Sequence, residues 1–109
     1  GKPTFINALT GIGDTPKSYV LSVSAYPNPF NPSTTLRYTL PSKGQVTIAV
    51  YDARGVRVAT LLDQEGGAGA FTVPWDGRIE SGATASSGVY FARIEHSSGT
   101  KSYKMVLLK

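Results

Sequence analysis

Apolar residues recur at every second position in a series of short stretches, the period of strands buried on one face. Seven strands are predicted on this pattern, at 18–26, 34–40, 45–52, 56–62, 69–75, 88–96 and 100–108. In the first, Tyr19, Leu21 and Val23 alternate with Val20, Ser22 and Ser24, and in the second Leu36, Tyr38 and Leu40 alternate with Arg37 and Thr39. The third turns Val46, Ile48 and Val50 inward, and the fourth Val56, Val58 and one of Leu61 or Leu62. Phe71, Val73 and Trp75 share one face of the fifth. The sixth carries Tyr90, Ala92 and Ile94 on one face and Val89 and Phe91 on the other, the mark of a central strand covered in part on its second side. The seventh, ending Tyr103-Lys104-Met105-Val106-Leu107-Leu108, is apolar on both faces too. No stretch keeps the spacing of an amphipathic helix over three turns, so the chain reads as all-β.

The connections set the layout. Ser42-Lys43-Gly44, Ala53-Arg54-Gly55 and Ser97-Ser98-Gly99 each place glycine third, which fits a type I turn closed by a left-handed residue. The second and third should be hairpins; the first, preceded by Pro41, should arch between sheets, as should the longer links 63–69 and 76–87. Between the first two strands lies Tyr26-Pro27-Asn28-Pro29-Phe30-Asn31-Pro32, whose prolines forbid helix and remove backbone donors. It should cross in an extended, kinked path, with Tyr26 and Phe30 plugging an end of the core. Short strands with mixed hairpins and arches predict a seven-stranded immunoglobulin- or fibronectin III-like antiparallel β-sandwich. Residues 1–17 lack periodicity and read as a linker or the tail of a preceding domain, with the sandwich occupying 18–109.

At 109 residues the chain has room for one core. It begins Gly1-Lys2 without a leader pattern, as expected of a piece of something longer. No apolar run approaches the roughly 20 residues of a membrane helix, so no membrane insertion is expected. The net charge of +4 comes from basic residues scattered along the chain, which does not suit nucleic acid. Only the tail concentrates charge, through Lys101, Lys104 and Lys109, as on a strand edge kept soluble and unpaired. Without cysteine and with one histidine, His96, zinc and copper lack their usual ligands, and His96 beside a turn is expected to be solvated. Asp52 and Asp76 stand in turns, where a carboxylate accepts from nearby amides. The oxygens of the 76–80 loop lack calcium-site spacing, and Gly66-Gly67-Ala68-Gly69 lacks the Lys and helix of a phosphate loop. Trp75 shares the phase of core residues and has no second coplanar aromatic to form a sugar platform. No catalytic, cofactor or metal site is expected.

Four motifs carry a family resemblance. Tyr26-Pro27-Asn28-Pro29-Phe30-Asn31-Pro32-Ser33-Thr34-Thr35-Leu36-Arg37-Tyr38 resembles the start of the type A C-terminal sorting domain of the bacterial type IX secretion system. Val50-Tyr51-Asp52-Ala53-Arg54-Gly55-Val56-Arg57-Val58 is similar to its second motif. Trp75-Asp76-Gly77-Arg78 with Ser87-Gly88-Val89-Tyr90-Phe91-Ala92-Arg93-Ile94 is similar to the third, and Lys104-Met105-Val106-Leu107-Leu108-Lys109 to the terminus. The third motif also resembles the immunoglobulin-like domain of the flagellar hook-capping protein. The resemblance implies an address: a cargo domain N-terminal to it in the same chain, an outer-membrane translocon that reads it after transit of the periplasm, and a surface protease that cuts it off near 10–18 during attachment. The cargo then stays at the cell surface or outside the cell.

Residues expected to meet the translocon are Gly88, Val89, Tyr90, Lys101, Lys104, Val106, Leu107, Leu108 and Lys109. A final strand with an accessible edge and a basic, apolar pattern suits reading by strand addition. Two other functions fit the residues: an accessory carbohydrate-binding module of an extracellular hydrolase, and a structural spacer.

Overall fold

The computed structural model describes residues 18–109. Seven strands follow in chain order: β1 Ser22–Tyr26, β2 Thr34–Leu40, β3 Gly44–Asp52, β4 Arg57–Gly66, β5 Gly69–Trp75, β6 Gly88–His96 and β7 Gly99–Leu107. They pair into two antiparallel sheets, one in the order β1-β2-β5 and the other in the order β4-β3-β6-β7. The fold is the expected immunoglobulin-like sandwich, with the fourth strand on the sheet of the third rather than on that of the first. The turns at 53–55 and 97–98 close hairpins, while the links after β2, β4 and β5 change sheets. Among the described residues no helix is long and apolar enough to cross a membrane. The linker expected at 1–17 lies outside the described residues.

The core forms where the two alternating faces meet. Leu36, Tyr38 and Leu40 of β2 are buried against Val46, Ile48 and Val50 of β3, Tyr90, Ala92 and Ile94 of β6, and Met105 and Leu107 of β7. Each such aliphatic side chain removed from water contributes about 1.5–3 kcal/mol. Trp75, at 1% exposure, closes one end of this layer.

The alternation fails in β4. Val56, expected inside, stands before the strand at 48% exposure, and Ala59 faces the core instead. Val56 is exposed because it stands in the hairpin, where its carbonyl accepts from the Asp52 N–H at 2.9 Å, whereas two register shifts, between Ile48 and Ala49 and between Val50 and Tyr51, bring Ala59 inward. A bulge adds a residue on one side and turns the following side chains to the other face. The strand also continues to Gly66, past the predicted end at 62, because β4 is an edge whose polar residues face water. There Asp63 accepts from Gln45 Nε2 at 2.7 Å and Thr47 Oγ1 at 3.2 Å.

Three further expectations are corrected. Tyr26 is exposed, so Phe30 alone plugs the core. His96 is buried rather than solvated, since it continues the inward series of Tyr90, Ala92 and Ile94. Its Nδ1 pairs with the Ser98 hydroxyl at 2.7 Å and accepts from the Ser98 N–H at 3.1 Å. Its Nε2 lies against Gly44, where a Cβ would sit 3.0 Å away. Gly44 therefore makes room for an imidazole and needs no left-handed backbone, whereas Gly55 does adopt the expected positive φ of 85°.

Candidate functional site

Three of the four motif segments converge at one end of the sandwich. Pro27, Pro29 and Pro32 have no N–H to offer a sheet. The segment nevertheless runs along the outer edge of β7, using the Asn28 side chain and the Phe30 backbone. Asn28 Nδ2 donates to Lys104 O at 2.9 Å, and its Oδ1 accepts from the Val106 N–H at 2.9 Å. The Phe30 N–H donates to Val106 O at 2.9 Å, and its carbonyl accepts from the Leu108 N–H at 3.0 Å. A parallel bridge thus joins Phe30 to Leu107.

Beneath this strap the Phe30 ring meets Trp75 at 5.4 Å, and Trp75 meets Tyr90 edge-on at 5.5 Å. The polar ends of both partners are satisfied: Trp75 Nε1 donates to Arg78 O at 3.0 Å, and Tyr90 OH to Ser86 O at 2.7 Å. Gly77, at φ 79°, brings its turn so close that a Cβ would lie 2.3 Å from Pro32 O. The first, third and last motifs are thereby parts of one packed unit. The second motif is the β3–β4 hairpin on the neighbouring flank. There Asp52 Oδ1 accepts from the N–H groups of Arg54 at 2.9 Å and Val56 at 3.0 Å.

The residues expected to meet a translocon separate into three groups. Tyr90 and Leu107 are core, at 6% and 1% exposure. Gly88, Val89 and Val106 are half-buried, while Lys101, Lys104, Leu108 and Lys109 are exposed. Lys109 is held by its N–H to Ser87 Oγ at 3.0 Å. The edge of β7 is accessible only in part, because the strap covers Lys104 O, Val106 and the Leu108 N–H. Asn28 and Phe30 were absent from the expected site. The signal for them was an asparagine set between prolines, whose side-chain amide can replace a peptide group.

Two shallow clefts lie against the second and third motifs. One of about 220 Å³ is lined by Tyr51, Asp52, Phe91, Arg93 and Ser102, and another of about 450 Å³ by Thr60, Trp75, Asp76, Arg78 and Glu80. Their carboxylates have structural partners. The Arg54 guanidinium binds Asp52 at 2.9 Å and holds its carboxyl below the usual range, helped by the Val56 N–H. Asp76 accepts from the Arg78 N–H at 3.0 Å, and Glu80 from Thr60 Oγ1 at 3.1 Å. No group of three or more His, Cys, Asp or Glu residues gathers among the described residues. Trp75 faces the core, so it offers no exposed platform to a sugar.

Comparison with known proteins adds an identity at the level of family. Dimeric latent PorU from Porphyromonas gingivalis is similar over 91% of this chain and 10% of its own, with TM-score 0.68 and 23% identity. FlgD from P. aeruginosa is similar over 68% of this chain and 58% of its own, with TM-score 0.54 and 27% identity. PorZ, described as an essential bacterial surface component of the type-IX secretion system of P. gingivalis, is similar over 80% of this chain and 11% of its own, with TM-score 0.53 and 21% identity. The chain therefore spans about a tenth of PorU and of PorZ, and at these identities the likeness to both is one of fold. No curated protein matches. The family model of the FlgD Ig-like domain matches residues 31–100, from the strap to the start of β7, and the chain belongs to that family.

Proposed function

We propose that the chain is a non-enzymatic C-terminal sorting domain, which directs a cargo ahead of it in the same polypeptide through the type IX secretion system. In this reading the cargo passes the periplasm and reaches the cell surface or the medium, with an outer-membrane translocon and a surface-attachment protease as partners. The observation that carries it is the strap of Asn28 and Phe30 on β7, which joins the first sorting motif to the last. A terminal strand tied in this way is presented only by the folded domain, as a signal read after periplasmic folding requires. The four motifs and the fold shared with a surface component of a type IX system support the same reading.

The test is to fuse a reporter ahead of residues 1–109 in a type IX-competent host. Export of the reporter to the surface is expected, and a reporter that stays in the periplasm overturns the proposal. A second reading, a structural spacer, is favoured by the family match itself, and it predicts periplasmic retention in the same assay.

A further inference from the structure

We propose that the outer edge of β7 from Thr100 to Lys104 is a docking site for an extended acidic peptide, which adds there as a further strand of the four-stranded sheet. The proposal deepens the reading of β7 as the recognised element and rests on it.

β7 ends its sheet, so one row of its backbone groups faces away from β6. The strap uses Lys104 O, the Val106 N–H and O, and the Leu108 N–H, all on even-numbered residues. In an antiparallel edge strand the outward groups belong to alternate residues. The N–H groups of Thr100, Ser102 and Lys104 and the carbonyls of Thr100 and Ser102 therefore point the same way. Among the described residues no group pairs with them. The open row is roughly 14 Å long, room for a strand of four or five residues. Such a row of unmet donors and acceptors is a template for strand addition.

Charge selects the occupant. Lys101 and Lys104 are exposed, project from opposite faces of β7, and form no ion pair among the described residues. Glu95, opposite Thr100 on β6, is already engaged by Arg93 at 3.1 Å. A second copy of this edge laid antiparallel would bring lysine toward lysine, which disfavours self-pairing. A strand with Asp or Glu on both faces meets both lysines while its backbone completes the ladder.

The experiment is titration calorimetry of the full chain with an end-capped peptide in which Glu alternates with Thr and Val, beside the same peptide with Lys in place of Glu. The acidic peptide should bind, more weakly as salt rises, and the basic one should not. Ser102→Pro removes an outward N–H but no bond to β6, and proline is tolerated where an edge N–H faces solvent. It should weaken binding about tenfold, near the loss of one hydrogen bond, without lowering the melting temperature. The Lys101→Glu/Lys104→Glu double variant should weaken it about as much, and it decides the matter if Ser102→Pro proves unstable. Equal binding of both peptides, no binding of the acidic one, or undiminished binding to the double variant overturns the proposal. A chain that exports its reporter yet ignores the peptide overturns the docking site and leaves the sorting role standing. Peptide binding without export overturns the sorting role alone.

Discussion

Asn28 pairs with Val106 across 78 positions of sequence as a backbone strand would, its Oδ1 accepting the Val106 N–H at 2.9 Å. The same amide donates to Lys104 O, so one side chain supplies both halves of a ladder rung in a segment whose prolines cannot. The last strand is thereby closed at its C-terminal half and open at its N-terminal half. The strap's hydrogen bonds all fall on the closed half.

Replacing Asn28 tests that division. Asn28→Ala returns two surface groups to water and should cost about 1 kcal/mol in denaturant unfolding, with faster hydrogen exchange at the Val106 amide. Asn28→Asp keeps the acceptor and should protect that amide more than Asn28→Ala does. Equal exchange in both variants would contradict the pairing.

Phe30 anchors the strap through the aromatic stack. Phe30→Ala should cost about 3–5 kcal/mol, and Phe30→Leu clearly less, in the same unfolding experiment. Trp75 fluorescence should be that of a buried indole and should not respond to added insoluble or soluble glycans. A glycan-dependent shift would revive the carbohydrate-binding reading.

Gly77 and Gly82 separate backbone strain from close approach. Both have positive φ, 79° and 92°, but a Cβ at Gly82 would meet nothing within 4 Å while one at Gly77 would strike Pro32 O. Gly82→Ala should cost about 1 kcal/mol for its conformation alone. Gly77→Ala should cost distinctly more, because the strap must shift, and similar costs for the two would refute the contact.

Asp52 gives the hairpin an acid sensitivity. Its hydrogen bond to Arg54, and then that from Val56, lower the carboxyl pKa from its ordinary 3.8. A depressed folded value means that the stabilisation is present above 3.8 and lost as pH falls through the folded value. The melting temperature should therefore fall on acidification below that point more steeply for the parent than for Asp52→Asn. Parallel curves would show that the ion pair contributes nothing.

Period-two alternation made β2 legible because one face is apolar and the other polar, and it marked β3 and β6 through one unbroken apolar face in each. It misled at Val56, which falls in the hairpin before β4 begins, at Ala59, where the β3–β4 bulges reset the phase, and at His96, whose polarity outweighed its position in the inward series. The polar end of β4 was missed because an edge strand needs no apolar residues there. The strap could not be read from periodicity at all: its partners are some 76 to 78 positions away, and a side chain replaces the peptide group. For the expected contact residues, sequence located the strand but not which of its groups are exposed. Leu107 and Tyr90 share motifs with exposed neighbours and still belong to the core.

The central claim is that the terminal strand of a folded domain carries the address. Deleting 101–109 tests it poorly, since Met105 and Leu107 would leave the core. The direct measurement is the surface-to-periplasm ratio of a reporter fused ahead of the full chain, compared with the Lys101→Glu/Lys104→Glu/Lys109→Glu variant shown by its melting curve to be folded. The parent should place the reporter on the surface and the variant should hold it in the periplasm. A parent confined to the periplasm, or a variant exported as well as the parent, would contradict the claim.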